Sequence, residues 1–226
     1  MRGNMKALIF DMDGTLLNSM PAWNSLNEEL LKENGIGRDE VDYDMFITQR
    51  LSTVIETLEK EFDIKIDEER VKNRAWERMK EWYTHSAVLR PGVAKVLKDL
   101  EGLDIKLVVG TATRQNFAEQ ALKTAGVLDR FEWVYSSSTE GYDKNDKKFF
   151  EAILGRLGLG PEDVALFDDA LYAILTANEC GIYTVGVEDP SYRQDLAQIK
   201  RQANCLIHGF EGFDVRSWLA DVDKTK

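Results

Sequence analysis

The sequence predicts an α/β protein: a Rossmann-like, doubly wound parallel sheet core with an inserted α-helical cap domain. Three observations predict it. Short apolar runs recur along the chain, helical apolar periodicity separates them, and residues 18–87 show helical periodicity with no strand run. Strands lacking polar alternation are buried on both faces, as in a parallel sheet covered by helices. An all-helical chain does not fit, because the apolar runs are short and closely bounded by polar residues.

Ala7-Leu8-Ile9-Phe10 reads as the first strand. Three helical stripes follow. Trp23, Leu26 and Leu30 stop at Gly35; Leu51, Val54, Ile55, Leu58 and Phe62 form the second; Val71, Ala75, Met79 and Trp82 form the third. The acidic start Asp67-Glu68-Glu69 suits the N-terminus of that last helix. Val93, Val96, Leu97 and Leu100 follow the first-turn signal Arg90-Pro91-Gly92. Lys106-Leu107-Val108-Val109 is the next strand, and Phe117, Ala121 and Ala125 mark a helix ending at Gly126. Trp133-Val134-Tyr135 precedes the Ser136-Ser137-Ser138 turn and a helix on Phe149, Phe150, Ile153, Leu154 and Leu157, stopped by Gly158. Val164-Ala165-Leu166-Phe167, Tyr183-Thr184-Val185 and the weaker Cys205-Leu206-Ile207 complete the strands. The expected division is a core of residues 1–17 and 88–226 and a cap of residues 18–87, with hinges near Leu17-Asn18 and Ala87 to Pro91.

Composition narrows the function classes. With 29 Lys and Arg against 40 Asp and Glu, the net charge of −11 argues against non-specific nucleic-acid binding, which needs basic patches. A 43% hydrophobic content with only four prolines excludes a disordered or collagen-like chain. Cys180 and Cys205 make no disulfide framework and no CxxC pair, so a reduced cytoplasmic protein is expected. No signal-like run and no window of ~20 apolar residues suggests a membrane partner. Met5 reads as an alternative start behind Arg2-Gly3-Asn4.

The first strand runs into Asp11-Met12-Asp13-Gly14-Thr15. Carboxylates two residues apart on an extended segment share a face, and the carboxyl end of a parallel strand is where ligands bind. A calcium loop wants Gly at its sixth position and Glu at its twelfth; here Gly14 is fourth and Ala22 twelfth.

Asp11-Met12-Asp13-Gly14-Thr15-Leu16-Leu17 resembles the first motif of the haloacid dehalogenase-like phosphohydrolases. Three further segments match in order. Val108-Val109-Gly110-Thr111-Ala112-Thr113 is similar to the second motif, a hydrophobic strand ending in Thr or Ser. Lys144 stands where the family has Lys-Pro-x-Pro-x-x-Phe, its spacing to Phe150 selecting it over Lys147 and Lys148, although the prolines are missing. Phe167-Asp168-Asp169-Ala170 resembles the acidic fourth motif. The position of the helical insert resembles the subfamily that includes phosphoglycolate phosphatase and β-phosphoglucomutase.

The resemblance implies a phosphatase for a small phosphorylated metabolite, acting through an aspartyl-phosphate on a monomer or weak homodimer. Asp11 would be the nucleophile and Asp13 the general acid and base. Mg²⁺ would be held by Asp11, by Asp13 through its main-chain carbonyl, and by Asp168 and Asp169. Thr111, Ala112 and Lys144 would bind the phosphoryl group. In this picture the cation, Lys144 and helix N-termini reverse the sign of an acidic site.

Other readings stay open. The related sugar phosphomutases carry a His twelve residues after the nucleophile, where this chain has Trp23; retention of Asp13 argues against a dehalogenase. A non-catalytic phosphometabolite-binding protein would be expected to lose Asp11 or Asp13. Asp168 or Asp169 could serve only as a helix cap, and Thr111 could cap the helix containing Phe117. Arg114, a cation near a helix start, opposes the dipole and hints at a substrate or cap contact. Gln49, Arg50 and Ser52 border the cap stripe as candidate substrate contacts. Trp23, Trp76, Trp82 and Tyr83 read mainly as packing, with one or two facing substrate. His85 and His208 read as structural.

Overall fold

A computed structural model describes residues 5–43, 46, 51–189 and 193–224. Among these, six strands form one sheet: β1 Ala7–Phe10, β2 Lys106–Thr111, β3 Trp133–Ser136, β4 Val164–Asp168, β5 Tyr183–Val187 and β6 Cys205–Ile207. Their order is β3-β2-β1-β4-β5-β6, and every adjacent pair is parallel. Each strand run read from the sequence is present.

Alternation of side chains along β1 explains the two layers of core. Leu8 and Phe10 join Val93, Leu97, Leu122 and Trp218 on one face. Ala7 and Ile9 join Phe149, Phe150, Ile153 and Ala177 on the other. All four β1 side chains are fully buried, and each of the large ones stabilises the fold by roughly 1.5–3 kcal/mol. The helices that supply these faces are α4 Val93–Asp99, α5 Gln115–Thr124, α7 Lys147–Leu157, α8 Leu171–Glu179 and α10 Val215–Lys224. Helix α9 is Arg193–Gln202. The serine run is not a turn: Ser136 closes β3, and Ser137–Glu140 form the one-turn helix α6.

Between β1 and α4 lie α1 Met20–Glu33, α2 Leu51–Phe62 and α3 Glu68–His85. Leu30, Leu31, Ile36, Phe46, Val54, Ile55 and Leu58 form a cluster of their own there. Leu26, Ala75, Met79 and Tyr83 instead join the cluster that reaches the sheet. Asp67 caps α3 by accepting from the Arg70 N–H at 3.0 Å, as its acidic start predicts. The chain enters and leaves this insert through segments that pair with each other: Leu17 bridges Leu89, and Asn18 N–H donates to Val88 O at 3.0 Å. Among the described residues no helix is long and apolar enough to cross a membrane.

Candidate active site

The strand order turns outward in both directions from β1 and β4, leaving a crevice at their carboxyl ends. Phe10 is in register with Phe167 and stacks on it, with ring centroids 4.8 Å apart. That register sets Asp11, one residue past β1, beside Asp168, the last residue of β4. Asp169 follows. Asp11, Asp168 and Asp169 are all buried, and each offers an oxygen within 4.8 Å of the others. Gly14 is required by this arrangement. Its φ is +83°, and a Cβ there would stand 2.4 Å from Asp169 Oδ2. Thr15 Oγ1 donates to Asp169 Oδ1 at 2.8 Å and fixes it.

Lys144 lies between the acids, 2% exposed, with Nζ 2.6 Å from Asp11 Oδ1 and 2.5 Å from Asp168 Oδ2. Its neighbours go elsewhere: Lys147 pairs with Glu179 at 3.0 Å, and Lys148 sits 5.6 Å over the Tyr142 ring. Asp168 also accepts from the Ala170 N–H at 2.9 Å, a turn bond just before α8, but it does not cap that helix, whose N-cap is Ala170. Burial pushes the Asp11 carboxyl up to about 7; Lys144 opposes the shift and Asp168 adds to it. Burial, then repulsion from Asp11 and Asp168, holds Asp169 well above the usual carboxylate range. Burial alone would lower the Lys144 ammonium, but the two carboxylates outweigh it and hold it above its ordinary value. Three buried carboxylates thus share one ammonium. Hard oxygen donors with surplus negative charge suit a hard divalent cation.

Asp13 is held from two sides. Tyr83, on α3, places its Oη 2.9 and 3.0 Å from the two carboxylate oxygens, and Thr113 Oγ1 donates to Oδ2 at 2.7 Å. Burial raises Asp13, and the Thr113 and Tyr83 hydroxyls pull it back. Burial and the Asp13 charge push the Tyr83 phenol well above its usual value, so it stays a donor. Thr111 does not cap α5, whose N-cap is Arg114; it accepts the Thr113 N–H at 3.1 Å, leaving its own O–H free to donate.

These residues floor a cavity of about 470 Å³ whose lining includes Thr111, Ala112, Trp23 and Ser52. Trp23 meets Trp76 edge to face, with centroids 5.7 Å apart. Arg114 lies outside this lining; its guanidinium sits 4.8 Å over the Trp76 ring, a contact with the insert. Gln49 and Arg50 fall outside the described residues. His85 pairs with Glu81 and His208 with Glu188, and neither lines the cavity. Three residues escaped the sequence reading. Tyr83 is one of four aromatics that read mainly as packing, with one or two facing substrate, so its bond to Asp13 was not foreseen, and Thr113 stood unremarked inside the second motif. Arg90 read only as a helix lead-in; it is buried, with Nη1 donating to the Gly14 carbonyl and Nη2 to Glu188 O at 2.7 Å.

The model of the haloacid dehalogenase-like hydrolase family matches residues 5–181, from two residues before β1 to two past α8, and so includes Asp11, Asp13, Asp168 and Asp169. The chain belongs to the haloacid dehalogenase-like hydrolases. It is 28% identical over 182 residues to the phosphorylated carbohydrates phosphatase of Thermotoga maritima, covering 79% of this chain and 82% of that protein. It is 25% identical to the validoxylamine A 7'-phosphate phosphatase of Streptomyces hygroscopicus subsp. limoneus, covering 85% and 90%. Its fold matches that of β-phosphoglucomutase from Clostridium difficile with a TM-score of 0.71 and 18% identity, over 98% of both chains. Family and relatives together support a phosphoric monoester hydrolase, the enzyme class that the four motifs imply.

Proposed function

We propose that this hydrolase is a Mg²⁺-dependent phosphatase for a small phosphomonoester, working through a phosphate ester of Asp11. The observation that carries the reading is Lys144 Nζ bridging Asp11 and Asp168 at a cluster of three buried carboxylates. A Mg²⁺ ion held by Asp11, Asp168, Asp169 and the Asp13 main-chain carbonyl would supply charge neutralisation for a dianionic phosphate approaching a carboxylate. Names of the relatives, both phosphatases, point the same way.

Asp11 attacks phosphorus in line while the ester P–O bond breaks, and the protonated Asp13 gives its proton to the leaving oxygen. Asp13, now ionised, takes a proton from water as that water attacks phosphorus, releasing inorganic phosphate and restoring the Asp11 carboxylate. The Thr111 hydroxyl, the Ala112 end of the loop and Lys144 bind the phosphoryl oxygens. The helical insert of residues 18–87 acts as a cap that excludes bulk water. Trp23, where related mutases carry His, offers no proton-transfer group, which favours water over a second sugar hydroxyl as acceptor. The test is phosphate release from p-nitrophenyl phosphate with Mg²⁺ and with chelator. Asp11→Asn should abolish turnover, by at least about a thousandfold. Release that survives this substitution or a chelator would overturn the reading.

A further inference from the structure

We propose that Asn27 is a specificity-determining residue that hydrogen-bonds a hydroxyl of a neutral, polyhydroxylated leaving group. Trp23 and Trp76 form the apolar wall against which that group lies. The inference rests on the phosphatase reading above.

Asn27 lies on α1 four residues after Trp23, so the two side chains share a helix face. It lines the cavity and is 6% exposed. Among the described residues its side-chain amide has no hydrogen-bond partner. On the cavity floor Thr113 is paired with Asp13, and Lys144 with Asp11 and Asp168. Asn27 is thus nine-tenths buried as a residue while its amide reaches the cavity unpaired among the described residues, so a ligand that supplies a partner is favoured over one that does not.

The indoles define the rest of the leaving group. Trp76 is backed by the Arg114 guanidinium and by Phe117, whose ring centroid lies 5.7 Å away. Trp23 abuts it edge to face. Both indoles line the cavity and are held in place by these ring contacts, and their apolar surface suits the C–H face of a sugar or polyol. A simple aryl group would meet the indoles but leave Asn27 unanswered.

Among the described residues, charge disfavours a second anionic group. The lining cation on the insert, Lys72, is already paired with Glu68 at 2.5 Å, and Lys144 is taken by two carboxylates. Asp143 and Asp195 add further acid to the lining. Among the described residues, a carboxylate or second phosphate on the leaving group finds no free cation and meets like charge instead.

The experiment measures kcat/KM for wild type and Asn27→Leu, which keeps the branched shape and the number of heavy atoms. Substrates are glucose 6-phosphate and sorbitol 6-phosphate, ethyl phosphate, and the anionic phosphoglycolate and fructose 1,6-bisphosphate. Wild type should favour the two neutral polyol phosphates over the others by about tenfold or more. Asn27→Leu should lose about tenfold on those two and stay within about twofold on ethyl phosphate. An unchanged polyol phosphate activity, or a wild-type preference for the anionic substrates, overturns the proposal. If Asn27→Leu also loses ethyl phosphate hydrolysis, Asn27→Ser is measured the same way, and an equal loss there overturns it too. Wild type that cleaves none of the five substrates overturns the phosphatase reading as well; hydrolysis of ethyl phosphate with an indifferent Asn27 sinks this inference alone.

Discussion

The carboxyl ends of β1 and β4 and the facing surface of α1 and α3 border one cavity, yet they are built in opposite ways. At the strand ends, polar side chains hold one another. Lys144 ties Asp11 to Asp168, Gly14 leaves room for Asp169, and Thr15 pins that carboxylate. On the insert, Trp23 and Trp76 are fixed by ring contacts while Asn27 is left open. Groups that must handle a phosphoryl transfer are constrained by each other before any ligand arrives, which is preorganisation. The opposite wall is constrained only in shape. Substitutions at the strand ends should therefore cost stability and reaction together, whereas substitutions on the wall should redirect selectivity.

Lys144→Met is the strongest way to break that contrast. It leaves Asp11 and Asp168 buried beside Asp169 with no ammonium between them. Removing one partner of a buried ion pair costs about 3–5 kcal/mol, a Tm loss of roughly 10 °C for a chain of this size. Phosphate release should fall at least about a hundredfold. Asn27→Leu should melt within about 3 °C of wild type. If the Lys144 variant melts as high as the Asn27 variant, the strand-end groups are not mutually constraining.

The same contrast governs what was legible in the sequence. Strand-end chemistry repeats with local spacing: Asp11, Asp13 and Gly14 follow an apolar run, Thr111 ends one, and Asp168 and Asp169 end another. The parallel sheet then brings these ends together without further information. Lys144 was separable from Lys147 and Lys148 because its distance to Phe150 matched a pattern, and of the three it is the one buried between Asp11 and Asp168. Tyr83 was not legible. It lies on a helical apolar stripe, and its partner Asp13 is 70 positions away. Arg90 reaches Gly14 and Glu188 across 76 and 98 positions, contacts that only the folded chain defines. Thr111 was read as a possible cap because a helix follows it, but the chain runs on to Arg114 before turning. Long-range polar contacts carry no periodicity, so no pattern announces them.

The charge surplus at the strand ends gives a second, smaller effect. Asp11 and Asp169 hold their protons to higher pH when folded than in the unfolded chain, where such groups ionise near ~4. Between that value and about 7 for Asp11 the folded form binds more protons than the unfolded form, so stability falls as pH rises. The contribution is whole below the unfolded value and lost above the folded one. In chelator, Tm should drop between about pH 5 and about pH 8. Asp169→Asn removes one of the opposing charges at every pH and should flatten that drop. Mg²⁺ added at the higher pH should restore several degrees to wild type and less to Asp169→Asn. Equal slopes for the two proteins, or no Mg²⁺ response, would show that the three carboxylates do not form one electrostatic unit.

Tyr83 tests where the boundary between the two regions runs, because it belongs to the insert by chain and to Asp13 by geometry. Tyr83→Phe keeps the buried ring and deletes one donor, while Thr113 still holds Asp13 at 2.7 Å. Stability should change by only about 1 kcal/mol, since a single hydrogen bond contributes little net. The kcat should fall about three- to tenfold, because Asp13 is less firmly aimed at the leaving oxygen. The informative part is the pattern across substrates. If Tyr83 serves the reaction, ethyl phosphate and glucose 6-phosphate lose the same factor, because the proton goes to the same ester oxygen in both. If Tyr83 serves the wall, the loss follows the leaving group and resembles that of Asn27→Leu. A uniform loss is the expected outcome, and it would place the functional border inside α3, between Trp76 and Tyr83, rather than at the ends of the insert.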